Sequence, residues 1–348
     1  MKKFFSTLGK QIGIDLGTSN TLVYDKEKGL IINEPSVVAV NQKTDAIVAV
    51  GSEARKMIGK TPQHIVAIKP LVDGVISDFE VTEKMLKYFI DKATGVTGWK
   101  MFSKPRVVIG IPLEITEVEK KAVEDAVLHA GAKEVFLIET PIAAAIGCNL
   151  PIQEAIGTMI VDIGAGTTEI AVLSLGGVVT WKTIKIAGDE FNKNIINYAR
   201  THFNLVLGEK VAEEIKVKIG SADTLSTPLE TQMRGRDIIS GLPKEIIVND
   251  AQIRESLSRS IQIIINNIKS TLEVTPPELV ADIYERGITL IGGGALLKNI
   301  SVAISKATKI PVHVAEDPIT AVVRGTGYLL DDDVLLKSVT SPSTQDSN

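Results

Sequence analysis

Gly13-Ile14-Asp15-Leu16-Gly17-Thr18-Ser19-Asn20-Thr21-Leu22-Val23-Tyr24 has a counterpart far along the chain in Ile160-Val161-Asp162-Ile163-Gly164-Ala165-Gly166-Thr167-Thr168-Glu169-Ile170-Ala171-Val172. Each reads as a strand ending in Asp, a tight turn of Gly and small hydroxyl residues, and a returning strand, so the chain repeats itself. Gly17 lets the backbone bend where a side chain would block it, leaving the N–H groups of Thr18, Ser19 and Asn20 to converge on an anion; Gly164, Ala165 and Gly166 offer the same. Two such hairpins facing each other would grip a polyphosphate, with Asp15 and Asp162 holding a hydrated divalent cation. A single Gly-rich turn between apolar strands is usually an ordinary hairpin; its duplication is what points to a site.

At 348 residues the chain is long enough for two domains. Hydrophobic residues at 44% and charged residues at 23% describe a folded protein whose scarce aromatics, 4%, leave the core to aliphatic side chains. A net charge of -4 with interspersed signs gives no reason to expect nucleic acid as a partner. Cys148 has no partner for an internal disulfide, which fits a reducing compartment. No apolar run is long enough to span a bilayer, and Phe4-Phe5 is too short for a secretory signal, so the expected location is the cytoplasm or the inner face of the membrane.

Along the chain, residues 1–11 form a basic and apolar start in which Phe4, Phe5 and Leu8 fall broadly on one side of a helix, suited to a lipid headgroup layer or else a frayed terminus. Leu30–Ile32, Val37–Val40 and Ile47–Val50 read as short strands of a small inserted subdomain, and Val81–Ala93 as a core-facing helix. Trp99, Met101 and Phe102 sit in a loop between Gly95 and Lys104, either tucked into the core or exposed as a contact surface. Thr116 and Glu119 make a capping box. Thr140-Pro141 opens a helix through Ala143-Ala144-Ala145 to Gly147, whose small residues suit close packing at a crossover between the two halves, and Ala251–Leu272 reads as a long amphipathic helix. Ser338–Asn348 reads as a disordered polar tail.

Gly292-Gly293-Gly294-Ala295 follows the apolar strand Ile288–Ile291 and supplies a third glycine turn, one suited to a nucleoside. Together with Asn33-Glu34-Pro35-Ser36-Val37-Val38, Asp73-Gly74-Val75-Ile76-Ser77-Asp78-Phe79-Glu80, Ile219-Gly220-Ser221-Ala222 and Ile291-Gly292-Gly293-Gly294-Ala295-Leu296-Leu297-Lys298-Asn299, the three turns resemble the MreB bacterial actins, of the actin, Hsp70 and sugar-kinase superfamily. The resemblance implies an α/β fold of duplicated ribonuclease-H-like domains around a nucleotide cleft. Domain I would span 12–145, with a subdomain at about 34–78 and completion at 318–332; domain II would span 146–317, with a subdomain at about 187–250. It implies ATP or ADP with Mg2+ in the cleft, antiparallel double filaments of the chain itself on the inner membrane face, and service to cell shape or to motility in wall-less cells, alongside cell-shape or motility proteins. It places Gly17, Thr18, Ser19 and Asn20 on the first phosphate loop and Gly164, Ala165 and Gly166 on the second. Glu213, Glu214, Ile215 and Lys216 fall at the ribose and adenine, Gly292 to Ala295 at the adenosine, and Phe4, Phe5, Leu8, Trp99 and Phe102 where such proteins touch lipid.

Two positions depart from the pattern. Ala165 replaces the usual Gly but keeps its N–H. Thr140 replaces the Glu thought to orient the attacking water, with Glu139 one place earlier, while the other water-positioning residue, Thr167, is retained. Thr140 suits an N-cap for a helix starting at Pro141. Since a hydroxyl cannot accept a proton as a carboxylate does, the expectation is intact nucleotide binding with slow hydrolysis, unless Glu139 reaches in. The alternative from another class is a small-molecule kinase of the same superfamily, for which no cluster suited to a phosphate acceptor is evident; an Hsp70-type chaperone would need a peptide-binding domain after Leu330.

Overall fold

A computed structural model gives the fold of residues 10–95 and 104–340; the expectations placed on Phe4, Phe5, Leu8, Trp99 and Phe102 lie outside the described residues. The chain divides into two compact units. One takes the chain through Glu154, the turn Leu175–Gly177 and the segment from Thr320 on; the other takes Ala155–Ser174 and Val178–Ile319.

In the first unit the elements are β1 (Gln11–Leu16), β2 (Asn20–Asp25), β3 (Gly29–Pro35), β4 (Val38–Asn41), β5 (Ala46–Val50), α1 (Ser52–Met57), β6 (Ile65–Ile68), β7 (Leu71–Val72), β8 (Val75–Ile76), α2 (Phe79–Thr94), β9 (Arg106–Ile111), α3 (Glu117–His129), β10 (Glu134–Glu139) and α4 (Thr140–Gly147). The main sheet has the order β10-β9-β1-β2-β3. Its first three strands in sequence form an antiparallel meander, with β9 and β10 parallel beside β1. Val107, Val108 and Ile109 are all buried, as a strand covered on both faces requires. Asp78 starts α2 by accepting the N–H of Val81 at 3.0 Å, and the helix then turns Met85, Leu86, Phe89 and Ile90 inward. Burying each such side chain favours folding by about 1.5–3 kcal/mol. The capping box of Thr116 and Glu119 on α3 is formed as read from the sequence.

The second unit repeats the plan with β11 (Thr158–Ile163), β12 (Thr168–Ser174), β13 (Gly177–Ile184), α5 (Gly188–Phe203), β14 (Leu205–Val206), α6 (Glu209–Ile219), β15 (Glu230–Asp237), β16 (Pro243–Asn249), α7 (Asp250–Val274), α8 (Pro277–Arg286), β17 (Ile288–Ile291), α9 (Ile300–Thr308) and β18 (Val312–Val314). Its main sheet runs β18-β17-β11-β12-β13, the order of the first sheet element for element. The long helix α7 buries Ile253, Leu257, Ile261, Ile264 and Ile268, as its periodicity predicts. Finally α10 (Ala321–Leu329) and α11 (Asp333–Val339) return the chain to the first unit.

Several expectations need correction. Leu30–Ile32 belongs to β3 of the main sheet, pairing Val23 with Ile32, because Ile32 is buried there; the small three-stranded sheet holds β5, β4 and β6 only. Gln11 is not part of a terminal segment but pairs with Arg106 in β1. Ser338 and Val339 do not begin a disordered tail: Asp332 caps α11 through the N–H groups of Val334 and Leu335, and fully buried Leu336 anchors the helix through Val339. Only residues 341–348 of that tail lie outside the described residues.

The small residues of α4 serve a different purpose from a crossover, since the helix packs against α10 within the first unit. Backbones touch there. A methyl on Gly325 would come within 1.7 Å of the Ala143 carbonyl oxygen, and one on Gly147 within 1.9 Å of that of Ala321. Gly325→Ala should therefore lower folding stability by about 1–3 kcal/mol in chemical denaturation. Gly177→Ala, whose methyl would meet nothing within 4 Å, should be close to neutral, and equal effects would refute the close-approach account.

Candidate functional site

In the first unit the β1–β2 turn closes with the Gly17 N–H donating to the Asn20 carbonyl at 3.1 Å. A side chain at position 17 would lie 2.7 Å from that same carbonyl oxygen, so glycine is required. Ser36, from the Asn33-Glu34-Pro35-Ser36 stretch, fastens the turn: its hydroxyl donates to the Gly17 carbonyl at 2.6 Å and its N–H to the Ser19 carbonyl at 2.9 Å. The Thr18 hydroxyl accepts the Gly74 N–H at 3.1 Å, tying the loop to the β7–β8 turn, where Asp73 and Gly74 both have positive φ. The Asn20 side chain is committed to Asn33 at 2.7 Å, while Ser19 is exposed. Ser36 and Gly74 were not singled out as site residues in the sequence, although both lie in the motifs that carry the resemblance.

Thr140 and Glu139 are in the same unit, but neither fills the expected role directly. α4 begins at Thr140 itself, with Glu139 at the N-cap position and no side-chain cap, so Thr140 is not the N-cap. Its hydroxyl instead donates to the Ile111 carbonyl at 3.0 Å. Glu139 opens on a cavity of about 190 Å³ lined by Lys120, Leu137, Gly176, Ser338 and Thr340 among others, none of them from the loop 17–20. The cause is strand alternation, which puts Leu137 and Glu139 on one side of β10. Burial raises the Glu139 pKa, with Lys120 opposing.

The second unit gathers its predicted residues more tightly. Gly164 N–H donates to the Thr167 carbonyl at 3.0 Å, the same closure as in the first turn. The carbonyls of Gly164 and Ala165 accept the N–H groups of Gly188 and Asp189 at 3.1 and 2.8 Å, so the first turn of α5 is docked on the loop. The Lys216 ammonium donates to the Gly188 carbonyl at 2.9 Å. Burial pulls its pKa below the usual lysine range, against the pull of Glu213, Asp189 and Glu209. Gly292 and Gly294 press on the same strand end: a side chain on the first would strike the Asp162 carboxylate at 2.3 Å, and one on the second the Ile163 side chain at 2.2 Å. Around Gly293 the space is open. The buried Thr168 hydroxyl donates to the Ile186 carbonyl at 2.7 Å and anchors the hairpin, leaving half-buried Thr167 as the hydroxyl of the turn. Ala165 does not adopt a positive φ, so its methyl brings no backbone strain.

Two predicted residues of α6 do not join this group. Ile215 is buried in the hydrophobic core, and Glu214 is exposed and pairs with Lys210 at 3.8 Å. A helix turns 100° per residue, so Glu213 and Lys216 share a face that the two residues between them cannot. Gly188 went unnoticed because backbone groups carry its role.

Among the described residues no cluster of three or more His, Cys, Asp or Glu forms a metal centre. The donor chemistry nonetheless suits a hydrated cation: burial alone, with no charged neighbour in opposition, raises the pKa of Asp162 from 3.8 to about 7. A carboxylate so placed is relieved by a cation's water shell.

Because the folded chain holds the Asp162 proton up to about pH 7 and the unfolded chain loses it near 3.8, stability should fall as pH rises between those values. Asp162→Asn, which has nothing to ionise, should melt above the parent at about pH 8 in the absence of ligands, and the gap should shrink at about pH 5. A gap independent of pH would show that Asp162 does not titrate this way.

A family model described as MreB/Mbl protein matches residues 9–338. The chain is 49% identical over 323 residues to the cell shape-determining protein Mbl of Bacillus subtilis, covering 93% of this chain and 96% of that protein. It is 47% identical over 335 residues to the cell shape-determining protein MreB of Escherichia coli, covering 95% and 96%. The crystal structure of MreB5 of Spiroplasma citri bound to ADP superposes with a TM-score of 0.89 at 37% identity, covering 95% of this chain and 98% of that one. With the duplicated sheets and their matched glycine turns, these likenesses make the chain a member of the MreB/Mbl family, with an actin-like α/β fold.

Proposed function

We propose that the chain is an ATP-dependent, filament-forming bacterial actin that acts in cell shape, or in motility in wall-less cells. The observation that carries the reading is the cluster in the second unit, where the first turn of α5, with Lys216 on its Gly188 carbonyl, docks on the Gly164–Thr167 turn, and the Gly292–Gly294 turn presses on Asp162 and Ile163 at the strand end leading into it. Support comes from the relatives named for determining cell shape and from MreB5 of Spiroplasma citri, whose structures hold ADP and AMPPNP.

Each unit contributes one phosphate-binding turn, Gly17 to Asn20 and Gly164 to Gly166, whose backbone N–H groups meet phosphate oxygens. Glu213 and Lys216 orient the ribose and adenine, and Gly292 to Ala295 admit the adenosine. Asp15 and Asp162 would hold Mg2+ through its water shell, and the cation would supply charge neutralisation at the terminal phosphates. Thr167 positions the attacking water. Thr140, with its hydroxyl committed to Ile111, takes no proton from that water, and Glu139 is turned towards its own cavity; hydrolysis is therefore slow and serves as a timer of assembly. Filaments are antiparallel pairs in the cytoplasm on the inner membrane face, held there through Phe4, Phe5, Leu8, Trp99 and Phe102. Among the described residues no helix is long and apolar enough to cross a membrane.

With Mg-ATP the protein should form straight double filaments in negative stain that pellet with anionic liposomes, and deletion of residues 1–8 should lower the pelleted fraction. Particles that stay monomeric at high concentration, or calorimetry showing no uptake of Mg-nucleotide, would overturn the reading. Thr140→Glu should speed phosphate release severalfold; an unchanged rate would mean that another group already orients the water.

A further inference from the structure

The cavity beside Glu139 is lined entirely by residues of the first unit. Its volume of about 190 Å³ is somewhat more than benzene needs, which is room for roughly six to ten non-hydrogen atoms. Part of the lining is apolar: Ile111 is 2% exposed and Leu137 8%, and Val339 is half-buried. The polar part consists almost wholly of acceptors. Glu139 is half-buried, and its carboxylate accepts no hydrogen bond among the described residues; burial raises its pKa, with Lys120 alone opposing. The Ser338 and Thr340 hydroxyls both donate back into α11, to the Leu335 carbonyl at 2.8 Å and the Leu336 carbonyl at 2.7 Å, which leaves their oxygen lone pairs free to accept.

Donors on the lining are already spent. The N–H groups of Gly176 and Thr340 go to the Ile152 and Leu336 carbonyls at 2.6 and 3.1 Å. Lys120, the one cationic residue of the lining, donates to the exposed Glu117 at 2.9 Å. An anion would therefore meet the Glu139 carboxylate with no free donor to hold it, and a neutral molecule would leave that carboxylate unrelieved. A bare metal ion would find a single carboxylate, and among the described residues no group of three or more His, Cys, Asp or Glu could ligate it. The lining is also set in advance. Asp332 caps α11, the Arg106 guanidinium donates to Asp333 at 2.6 Å, and Leu336 is fully buried, so little order has to be imposed when a ligand enters.

We infer that this cavity binds a small free organic cation, an alkylammonium or alkylguanidinium, whose head donates to Glu139 and to the hydroxyl oxygens of Ser338 and Thr340 while its short stem rests on Ile111, Leu137 and Val339. The charged hydrogen bonds to Glu139 supply specificity, since they are the one pairing that the lining lacks. The stem replaces water on the apolar part. A lysine or arginine side chain of a partner protein carries the same head group, but the volume has no place for the backbone that would come with it. The inference stands independently of nucleotide binding and of self-assembly.

Titration of the full chain with propylguanidine, followed by NMR, should show one saturable site, and its uncharged isostere propylurea should show none. Glu139→Gln, which keeps the side-chain shape, should weaken propylguanidine binding by about tenfold or more. Lys120→Met, which removes the competing cation, should tighten it severalfold. Acetyl-arginine amide, the mimic of a side chain presented by a protein, should bind more weakly than propylguanidine. No saturable binding up to about 10 mM propylguanidine, or equal binding by the Glu139→Gln chain, would overturn the inference. So would acetyl-arginine amide binding as tightly as propylguanidine or tighter, which would assign the cavity to a partner's side chain. Melting without ligand checks that each variant is folded; if Glu139→Gln is not, a Lys120→Met chain that binds no more tightly than the parent overturns the inference by itself.

Discussion

The two hydrogen bonds from the first turn of α5 to the Gly164 and Ala165 carbonyls fix the second unit's chemistry. A helix start usually leaves its N–H groups open to an anion or to water. Here two of them are consumed by the glycine turn, so α5 braces the turn in place of binding a ligand itself. The remaining donors of the turn then face a fixed direction, and Lys216, held on the Gly188 carbonyl, is locked to the same point. Three segments far apart in sequence share one anchor. The glycines at 292 and 294 complete it because any side chain there would strike Asp162 or Ile163.

The first unit reaches a similar closure by other means. Its turn has the same bond between first and last residues, but the brace is Ser36 and not a helix terminus. The Thr18 hydroxyl also accepts from Gly74, which links the turn to a neighbouring hairpin. Duplication has thus preserved the strand order and the turn geometry while the supports diverged. Such divergence is expected where the backbone path matters and the side chains holding it are interchangeable.

Much of this was legible in the sequence. Alternation and the capping box of Thr116 and Glu119 located strands and helices, and the paired Asp-Gly turns marked the duplicated hairpins. Side-chain direction was less accessible: Glu139 differs from Thr140 by one residue, yet strand alternation sends its carboxylate into a separate cavity. Likewise Ile215 lies between two site residues and is core. A role carried by backbone atoms, as at Gly188, leaves no side-chain signature at all. The small residues of α4 were noticed, but their partner α10 lies some 180 positions later, and no local pattern names a contact at that separation.

That distant contact shapes how the protein is made. The first unit contains the beginning of the chain, yet it lacks α10 until residues 321–329 have been synthesised. The second unit, almost wholly one continuous stretch, is complete before then. On the ribosome the later-encoded unit can therefore finish folding first, while Ala143 to Gly147 wait with an uncovered small-residue surface for their helix to emerge. A chain cut short of Thr320 has its second unit whole and its first unfinished, which makes α10 a checkpoint for the unit that contains α4.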